Sequence, residues 1–163
     1  MNVNENNHEL DLRLLRIYMK SVKSVFDVLK QDIHSYDLDM GAFHILEFLY
    51  HKGPHPIQKI GDKFSIPSGS VTYVVDKLEK KGLVHRELSP EDRRLVLVKL
   101  TDAGQELLDD IFPKHTSTIA HLFSVLTDED KQQLTELLKK IGLHAAGLEG
   151  ACSEKTRSKR QDS

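Results

Sequence analysis

Residues 67–82 of the chain are PSGSVTYVVDKLEKKG, a stretch with the spacing of a short amphipathic helix. At about 100° per residue, four apolar side chains fall on one side of this helix. They are Val71, Val74, Val75 and Leu78. The opposite side carries small or polar residues, namely Gly69, Tyr73, Asp76 and Lys80. One side is therefore predicted to pack into a core, and the other is left free for a binding partner.

Three further helices are predicted on the N-terminal side of this stretch. The first has apolar residues at intervals of three and four, which is the helical period. The second begins near Asp39, a favourable cap, and stops at Gly53, because glycine and the proline after it end helices. Pro56 precedes a short third helix, and a tight turn separates it from Pro67 at the start of the fourth. The four predicted helices span residues 8–34, 39–52, 57–64 and 67–81.

Beyond Gly82 the apolar period changes from 3.6 to 2, which indicates a β-hairpin closed by a polar loop. Thr101 is a suitable cap for a fifth helix, in which Pro113 is predicted to produce a kink. A capping-box pattern at residues 127–130 begins a sixth helix. The predicted strands span residues 83–88 and 95–100, and the predicted helices span 102–126 and 127–147.

Two short helices, a turn, a third helix and a hairpin are typical of a winged helix-turn-helix. The predicted fold class is mostly α with a small β-hairpin wing and long helices at both ends. Surplus apolar residues on the first helix, such as Leu12 and Met19, favour contact with a second copy. The predicted regions are two flanking helical regions of residues 1–35 and 101–147, a DNA-binding lobe of residues 36–100 and a disordered tail of residues 148–163.

The free side of the fourth helix is the first candidate DNA contact. Small residues let a helix approach base edges and phosphates, and hydroxyl groups can donate to phosphate oxygens. The candidates are Ser68, Gly69, Ser70, Thr72, Tyr73 and Lys77. Taken alone, these residues also fit a solvated helix face with a capping serine.

The loop of the hairpin is the second candidate contact, because two arginines lie in a turn begun by Pro90. A wing arginine can enter the narrow minor groove, where the phosphate potential is most negative. A neighbouring Asp92 can hold an arginine in an extended pose through a charge-assisted hydrogen bond. Arg93 and Arg94 are the candidate groove contacts, and Arg86 on the preceding strand is a candidate phosphate contact. Solvated charges on a turn are the alternative.

Charge is distributed unevenly along the chain, whose formal net charge is −2. Residues 52–94 contain nine Lys or Arg and six Asp or Glu, which makes this segment net +3. A locally basic segment is compatible with DNA binding even in an acidic protein. The single cysteine, Cys152, cannot form an internal disulfide, so we expect a reducing cytoplasm. No apolar run approaches the roughly 18 residues that would cross a membrane.

Two motifs resemble the MarR family of transcription regulators. Residues 70–84 are similar to its recognition helix and following strand, and residues 92–104 are similar to its wing, with Asp92, Arg94, Leu100-Thr101 and Gly104 in the family spacing. The resemblance covers roughly residues 10–146. It implies that Arg94 is the wing arginine and Asp92 its partner. Many members have a basic residue where this chain has Tyr73, so their base contacts cannot be transferred.

The resemblance also implies a homodimer on a pseudo-palindromic operator, in which the long dimerisation helices at both ends, residues 1–35 and 101–147, join the two copies. It further implies a repressor released by a small aromatic ligand, an oxidant or a metal. A thiol sensor is disfavoured, because the first helix has no cysteine. The histidines near residues 44–55 and 115–121 form no familiar ligand motif, so no metal or cofactor is expected, although a metal-responsive or ligand-independent regulator stays an alternative. An aromatic effector pocket is predicted at Tyr18, Phe26, Phe43, His44, Phe48 and Phe112, which also suit an ordinary core. Residues 51–78 are similar to the branch that responds to quinones and hydroquinones.

Two other classes of protein are alternatives to a DNA-binding regulator. An enzyme is disfavoured, because the sequence has no nucleophile with a base, no paired-carboxylate motif and no phosphate-binding glycine loop. A winged-helix module that binds protein instead of DNA is the second class. It predicts that removing the charges of Arg93 and Arg94 leaves function intact.

Overall fold

The computed structural model describes the backbone of residues 3–161 and the side chains of residues 8–148. Six helices and three short strands make up this part of the chain. The helices are α1 Val3–His34, α2 Met40–Lys52, α3 Ile57–Phe64, α4 Ser68–Lys80, α5 Asp102–Leu122 and α6 Asp128–Gln161. The strands are β1 His55–Pro56, β2 Val84–Leu88 and β3 Val96–Leu100. The predicted fold class, mostly α with a β-hairpin wing, is confirmed.

The helix boundaries follow from local capping chemistry. Asp39 precedes α2 and its Oδ1 accepts a hydrogen bond of 2.8 Å from the backbone N–H of Ala42, as expected of an N-cap. Gly53 ends α2 with a φ of 76°, which a glycine adopts without strain. Between α3 and α4, Ser65 has a left-handed φ of 53°. Pro67 keeps an extended ψ of 136°, so α4 begins at Ser68, one residue later than predicted.

The strands form one antiparallel sheet in the order β1-β3-β2. In the predicted hairpin, Val84 pairs with Leu100 and Leu88 pairs with Val96. Strand β1, which the sequence pattern did not predict, adds two residues to the other edge of β3, where Pro56 is opposite Leu97. A strand of two residues has no alternation to detect, and a proline is tolerated there because β1 is an edge strand.

Residues up to Ile119 form one compact unit. The hydrophobic core of this unit contains residues of α1, α2, α3, α4, the sheet and α5. Its members include residues from each of these elements: Ile33, Phe43, Leu46, Ile60, Val71, Val75, Leu78, Val84, Val98, Leu108 and Ile111. Val71, Val75 and Leu78 of α4 are each 1% exposed or less. Three of the four predicted apolar residues are therefore buried, and the fourth, Val74, is partly buried against the same core.

A polar cluster connects α1 to α5 beside this core. Nδ1 of His115 lies 2.6 Å from Oδ2 of Asp32. Thr118 and Tyr36 donate hydroxyl hydrogen bonds of 2.8 and 2.9 Å to the other oxygen of Asp32. Burial works to raise the pKa of Asp32, but these three partners outweigh it and leave that pKa below its usual value. Burial and the charged Asp32 raise the pKa of Tyr36 to about 12.

Gly104, in the first turn of α5, allows a close approach between this helix and the start of β2. A Cβ at this position would lie 2.1 Å from the carbonyl oxygen of Leu83 and 3.2 Å from Cδ2 of Leu100. The same carbonyl of Leu83 accepts a hydrogen bond of 3.1 Å from the backbone N–H of Thr101. The structure thus explains the glycine in the wing motif by its close contact with the backbone of Leu83.

The second compact unit begins at Ala120 and contains the end of α5 and all of α6. Helix α5 ends at Leu122 and not near residue 126. Thr127 and Asp130 form the predicted capping box, with hydrogen bonds of 3.0 and 3.2 Å between each side chain and the other residue's backbone N–H.

Helix α6 continues to Gln161, whereas a helix end near Gly147 and a disordered tail were predicted. Residues 150–161 contain Ala, Glu, Lys, Arg and Gln, which favour helix without any apolar period. Cys152 lies on this last stretch, and its side chain is outside the described residues. Within residues 3–161, no helix has a segment of the length and apolarity needed to span a membrane.

The substitution Asp32→Asn is expected to lower the free energy of unfolding by about 3 kcal/mol at neutral pH, because it leaves buried partners without their anion. The folded-state pKa of Asp32 is below its unfolded value, so this contribution is complete above about pH 4 and is lost as the pH falls through the folded-state pKa. Urea titrations at pH 7 and in acid should show that the difference in free energy of unfolding between wild type and Asp32→Asn becomes smaller in acid. Asp27→Asn, which removes an exposed pair with Lys23, is the matched control, and equal stability of the two variants would contradict this role.

The substitution Gly104→Ala is expected to lower the free energy of unfolding by about 3 kcal/mol, because the added methyl group overlaps backbone. Gly142→Ala is the matched control: a Cβ there has nothing within 4 Å, and alanine stabilises a helix interior by about 0.5–1 kcal/mol. Thermal unfolding of the two variants should therefore shift in opposite directions. A Gly104→Ala protein as stable as wild type would show that α5 can move away from Leu83.

Candidate nucleic-acid interface

The solvent side of α4 is composed as the sequence predicted, with one difference. Ser68, Gly69, Ser70, Tyr73 and Lys77 are exposed. Thr72 is only half-exposed, and its hydroxyl donates a hydrogen bond of 2.9 Å to the carbonyl of Ser68, one turn earlier. Threonine in a helix often satisfies its hydroxyl in this way. The hydroxyl proton of Thr72 is thus already used inside the helix, which corrects the expectation that this group donates to phosphate.

Tyr73 and Lys77 form a pair on this face. The side chain of Tyr73 is 61% exposed, and Nζ of Lys77 lies 4.6 Å from the centre of its ring. This is a cation–π distance, and the four-residue separation places both side chains on the same helix face. The pair presents an aromatic ring and a positive charge together, a combination that the i, i+4 spacing could have revealed.

The tip of the hairpin is organised by Ser89, a residue that the sequence analysis did not single out. Ser89 is 7% exposed, and its hydroxyl accepts hydrogen bonds of 3.3 Å from the backbone N–H groups of Glu91 and Asp92. Its own N–H donates to the carbonyl of Leu95 across the loop at 2.9 Å. A serine directly before Pro-Glu-Asp is a recognisable turn signal.

Arg94 is held by Asp92 as the sequence predicted. Nε and Nη2 of Arg94 donate to the two oxygens of Asp92 at 3.0 and 3.1 Å, and the backbone N–H of Arg94 donates to Oδ1 at 3.0 Å. These bonds lower the pKa of Asp92 and raise that of Arg94. The Arg94 side chain is nevertheless 90% exposed. The tip therefore presents an oriented guanidinium to solvent, with Arg93 exposed beside it.

Arg86, a predicted phosphate contact, is paired with two carboxylates of α4. Its Nη2 donates to Oδ1 of Asp76 at 2.6 Å, and its Nη1 donates to Glu79. Burial works to lower the pKa of Arg86, but these two carboxylates raise it overall. Both partners belong to α4, so the guanidinium is occupied in an ion-pair cluster between β2 and α4.

The six aromatic positions predicted to line an effector pocket lie in separate environments. Phe43 is 1% exposed and belongs to the core, where its ring packs against His115. His44 stacks on Phe64 of α3, and Phe48 also packs against Phe64. The rings of Tyr50 and His51 contact Phe112 instead. Tyr18 and Phe26 of α1 are 38% and 48% exposed. Phe43, His44, Phe48 and Phe112 thus pack against other rings of the same chain, while Tyr18 and Phe26 are partly open to solvent.

Four histidines contact aromatic rings, namely His44, His51, His55 and His115. His55 contacts the ring of Phe48 and its Nδ1 lies 3.0 Å from the carbonyl of Gly53, while His115 belongs to the Asp32 cluster. Among the side chains that the structure describes, no group of three or more His, Cys, Asp or Glu could hold a metal ion.

An amphipathic helix with a free polar face, followed by a hairpin with an arginine at its tip, defines a winged helix-turn-helix protein of the DNA-binding kind. Residues 38–96 match the MarR family model. The chain is 45% identical over 137 residues to the HTH-type transcriptional regulator MhqR of Bacillus subtilis, covering 84% of this chain and 94% of that protein. This chain therefore belongs to the MarR family and is a transcription regulator.

Solved structures agree with this assignment. The apo form of MarR from E. coli has a TM-score of 0.65 at 26% identity, over 78% of this chain and 96% of that one. AbsC, a MarR family regulator from Streptomyces coelicolor, has a TM-score of 0.75 at 23% identity, over 83% and 94% of the two chains. At that identity the second similarity concerns the fold alone.

Proposed function

We propose that this regulator binds duplex DNA with α4 in the major groove and the tip of the hairpin in the adjacent minor groove. The observation that carries the proposal is the two-sided character of α4. Its apolar side is almost fully buried, while Tyr73 on the opposite side is 61% exposed. A helix fixed in this way presents one constant set of side chains to a groove.

The proposed contacts divide by position. Ser68, Gly69 and Ser70 form the first turn of α4. The N–H of Ser70 already donates to the carbonyl of Pro67 at 2.9 Å, so the groups proposed for phosphate oxygens are the small side chains and the backbone N–H groups of Ser68 and Gly69. Tyr73 and the accepting oxygen of Thr72 lie one turn further, towards base edges. The positive charge of Lys77 is proposed to contact a phosphate. At the tip, Arg94 is the proposed groove contact and Arg93 a phosphate contact, with Asp92 orienting Arg94. Arg86 is not among the proposed contacts.

We propose that the functional unit is a homodimer on a pseudo-palindromic operator. The support comes from α1, which exposes large apolar side chains on two sides of the helix. Leu10, Leu12, Leu14, Leu15, Ile17 and Met19 are each 55–61% exposed in the single chain. An apolar surface of this kind normally marks an interface. With two-fold symmetry, the half-sites would lie about one helical turn, or roughly 34–36 Å, apart.

The regulation we propose is repression in the cytoplasm that a small aromatic effector relieves, with DNA binding and no catalysis as the chain's activity. Its support is the resemblance to the family and to the quinone-responsive branch. Tyr18 and Phe26 are 38% and 48% exposed in the single chain, and they are the proposed effector contacts that a second chain would complete.

Selection of genomic fragments by the purified chain tests the proposal directly. A DNA-binding regulator should enrich a short sequence with two inverted half-sites, and the enriched duplex should bind in a gel-shift assay with a protein dimer. A winged-helix module for protein binding would enrich no sequence, and that result would contradict the proposed function.

The substitution Arg94→Ala is expected to weaken binding to the selected duplex by about 10- to 100-fold, because an arginine in a groove carries both charge and hydrogen bonds. The double variant Arg94→Ala, Asp92→Asn also removes the Asp92 charge. Comparing it with Arg94→Ala separates the loss of the arginine from the effect of leaving Asp92 unpaired. Lys114→Ala removes one positive charge from a pair on α5 and should bind normally. Unchanged affinity of Arg94→Ala at several salt concentrations would rule out a groove contact at the tip.

The substitution Lys77→Ala is expected to weaken binding to all duplexes to a similar extent, because a phosphate contact carries no sequence information. The slope of log K against log salt should become shallower by about one per site. Lys77→Arg, which keeps the charge, should keep the slope. Fluorescence anisotropy on the selected duplex and on a scrambled one would measure both effects, and an altered sequence preference would instead assign Lys77 to a base.

A further inference from the structure

Arg86 is set apart from the arginines of the hairpin tip by its surroundings. Its side chain is 25% exposed, against 90% for Arg94. Its guanidinium spans two carboxylates, Asp76 and Glu79, and its backbone N–H also donates to Oε1 of Glu79 at 3.1 Å. One residue of β2 therefore makes three bonds to the same helix.

The two carboxylates lie where acidic groups oppose DNA binding. Asp76 is one turn beyond Tyr73 on the solvent side of α4, and its side chain is 51% exposed. Glu79 follows three residues later, on the neighbouring part of the helix, and is 39% exposed. A carboxylate close to phosphates raises the free energy of the complex, since like charges repel and counterions must be kept in place.

We propose that Arg86 is a positioning residue for DNA binding, which screens Asp76 and Glu79 from the duplex and fixes the base of the hairpin to α4. The inference rests on the proposed DNA-binding function and deepens it. It assigns the specific affinity of the chain partly to a residue that touches no nucleic acid.

The geometry of the cluster favours this role over a phosphate contact. A guanidinium that turned to a phosphate would abandon two charge-assisted hydrogen bonds and leave both carboxylates exposed to the same phosphates. The two carboxylates are one turn apart on α4, and a planar fork can reach both at once, which a single ammonium group cannot do as well. The pKa of Arg86 is raised by these carboxylates, in agreement with a guanidinium that stays paired.

Rescue by neutral partners tests the proposal in the full chain. Arg86→Ala should weaken binding to the selected duplex roughly tenfold or more, because it leaves two charges unpaired. The triple variant Arg86→Ala, Asp76→Asn, Glu79→Gln should bind within about threefold of wild type, since coupled residues lose their effect together. Hydrogen exchange of the amides at residues 84–88 should accelerate in Arg86→Ala.

Arg86→Lys keeps the charge and serves as the second variant if Arg86→Ala does not fold. Positioning by the fork predicts that its affinity also falls, and that Asp76→Asn added to it restores binding. A phosphate contact would give the opposite pattern: Arg86→Lys would bind normally and the triple variant would stay as weak as Arg86→Ala. Either result, or wild-type affinity of Arg86→Ala, would overturn the proposal.

Failure of the proposed function would be visible separately, in the unsubstituted chain. If that chain bound no duplex, the fault would lie with the DNA-binding assignment. Without a bound duplex there would be no phosphates from which Arg86 could screen the two carboxylates, so the proposed role of Arg86 would be wrong as well.

Discussion

The apolar side of α4 is fixed by Val71, Val75 and Leu78, which pack into the core and are each 1% exposed or less. Any rotation of the helix about its axis would bring one of these side chains into water, at about 1.5–3 kcal/mol for each. The polar side is thus held outward by packing on the other side. Tyr73 and Lys77 need no contact with the rest of the protein to keep their direction, because the burial of their neighbours determines it.

The hairpin is bonded to two helices at its base and makes hydrogen bonds only within itself at its tip. At the base, Gly104 brings α5 against the carbonyl of Leu83, and Arg86 joins β2 to α4. At the tip, the turn is held by its own residues: Ser89 accepts from two backbone N–H groups, and Asp92 holds Arg94. A fixed base places the tip relative to α4, while an exposed tip keeps the freedom to adapt to the width of a groove.

The parts of this structure that the sequence predicted are those with a local cause. Periodic apolar residues, the caps at Asp39 and Thr127, and the Asp92–Arg94 pair are determined within a few residues of each other. Contacts between distant residues were missed, including Arg86 with Asp76 and Glu79, and Asp32 with His115. An arginine looks the same in sequence whether it is free or paired, because pairing depends on how helix and hairpin pack. Thr72 is a local contact that was nevertheless missed. Its hydroxyl was expected to point outward and instead donates a hydrogen bond to its own helix.

The aromatic residues offer an effector two different places to bind, one inside the packed part of the chain and one on the exposed face of α1. Phe43, His44, Phe48 and Phe112 are packed against other side chains, so a ligand among them would have to displace protein contacts. Tyr18 and Phe26 lie on the exposed face of α1 that we assign to the dimer. A ligand bound there would gain its second wall from the partner chain, and its binding would depend on the distance between the two chains. In the proposed dimer that distance would also set the separation of the two α4 helices, so a ligand preferring one spacing would shift the dimer towards or away from the spacing that the operator requires.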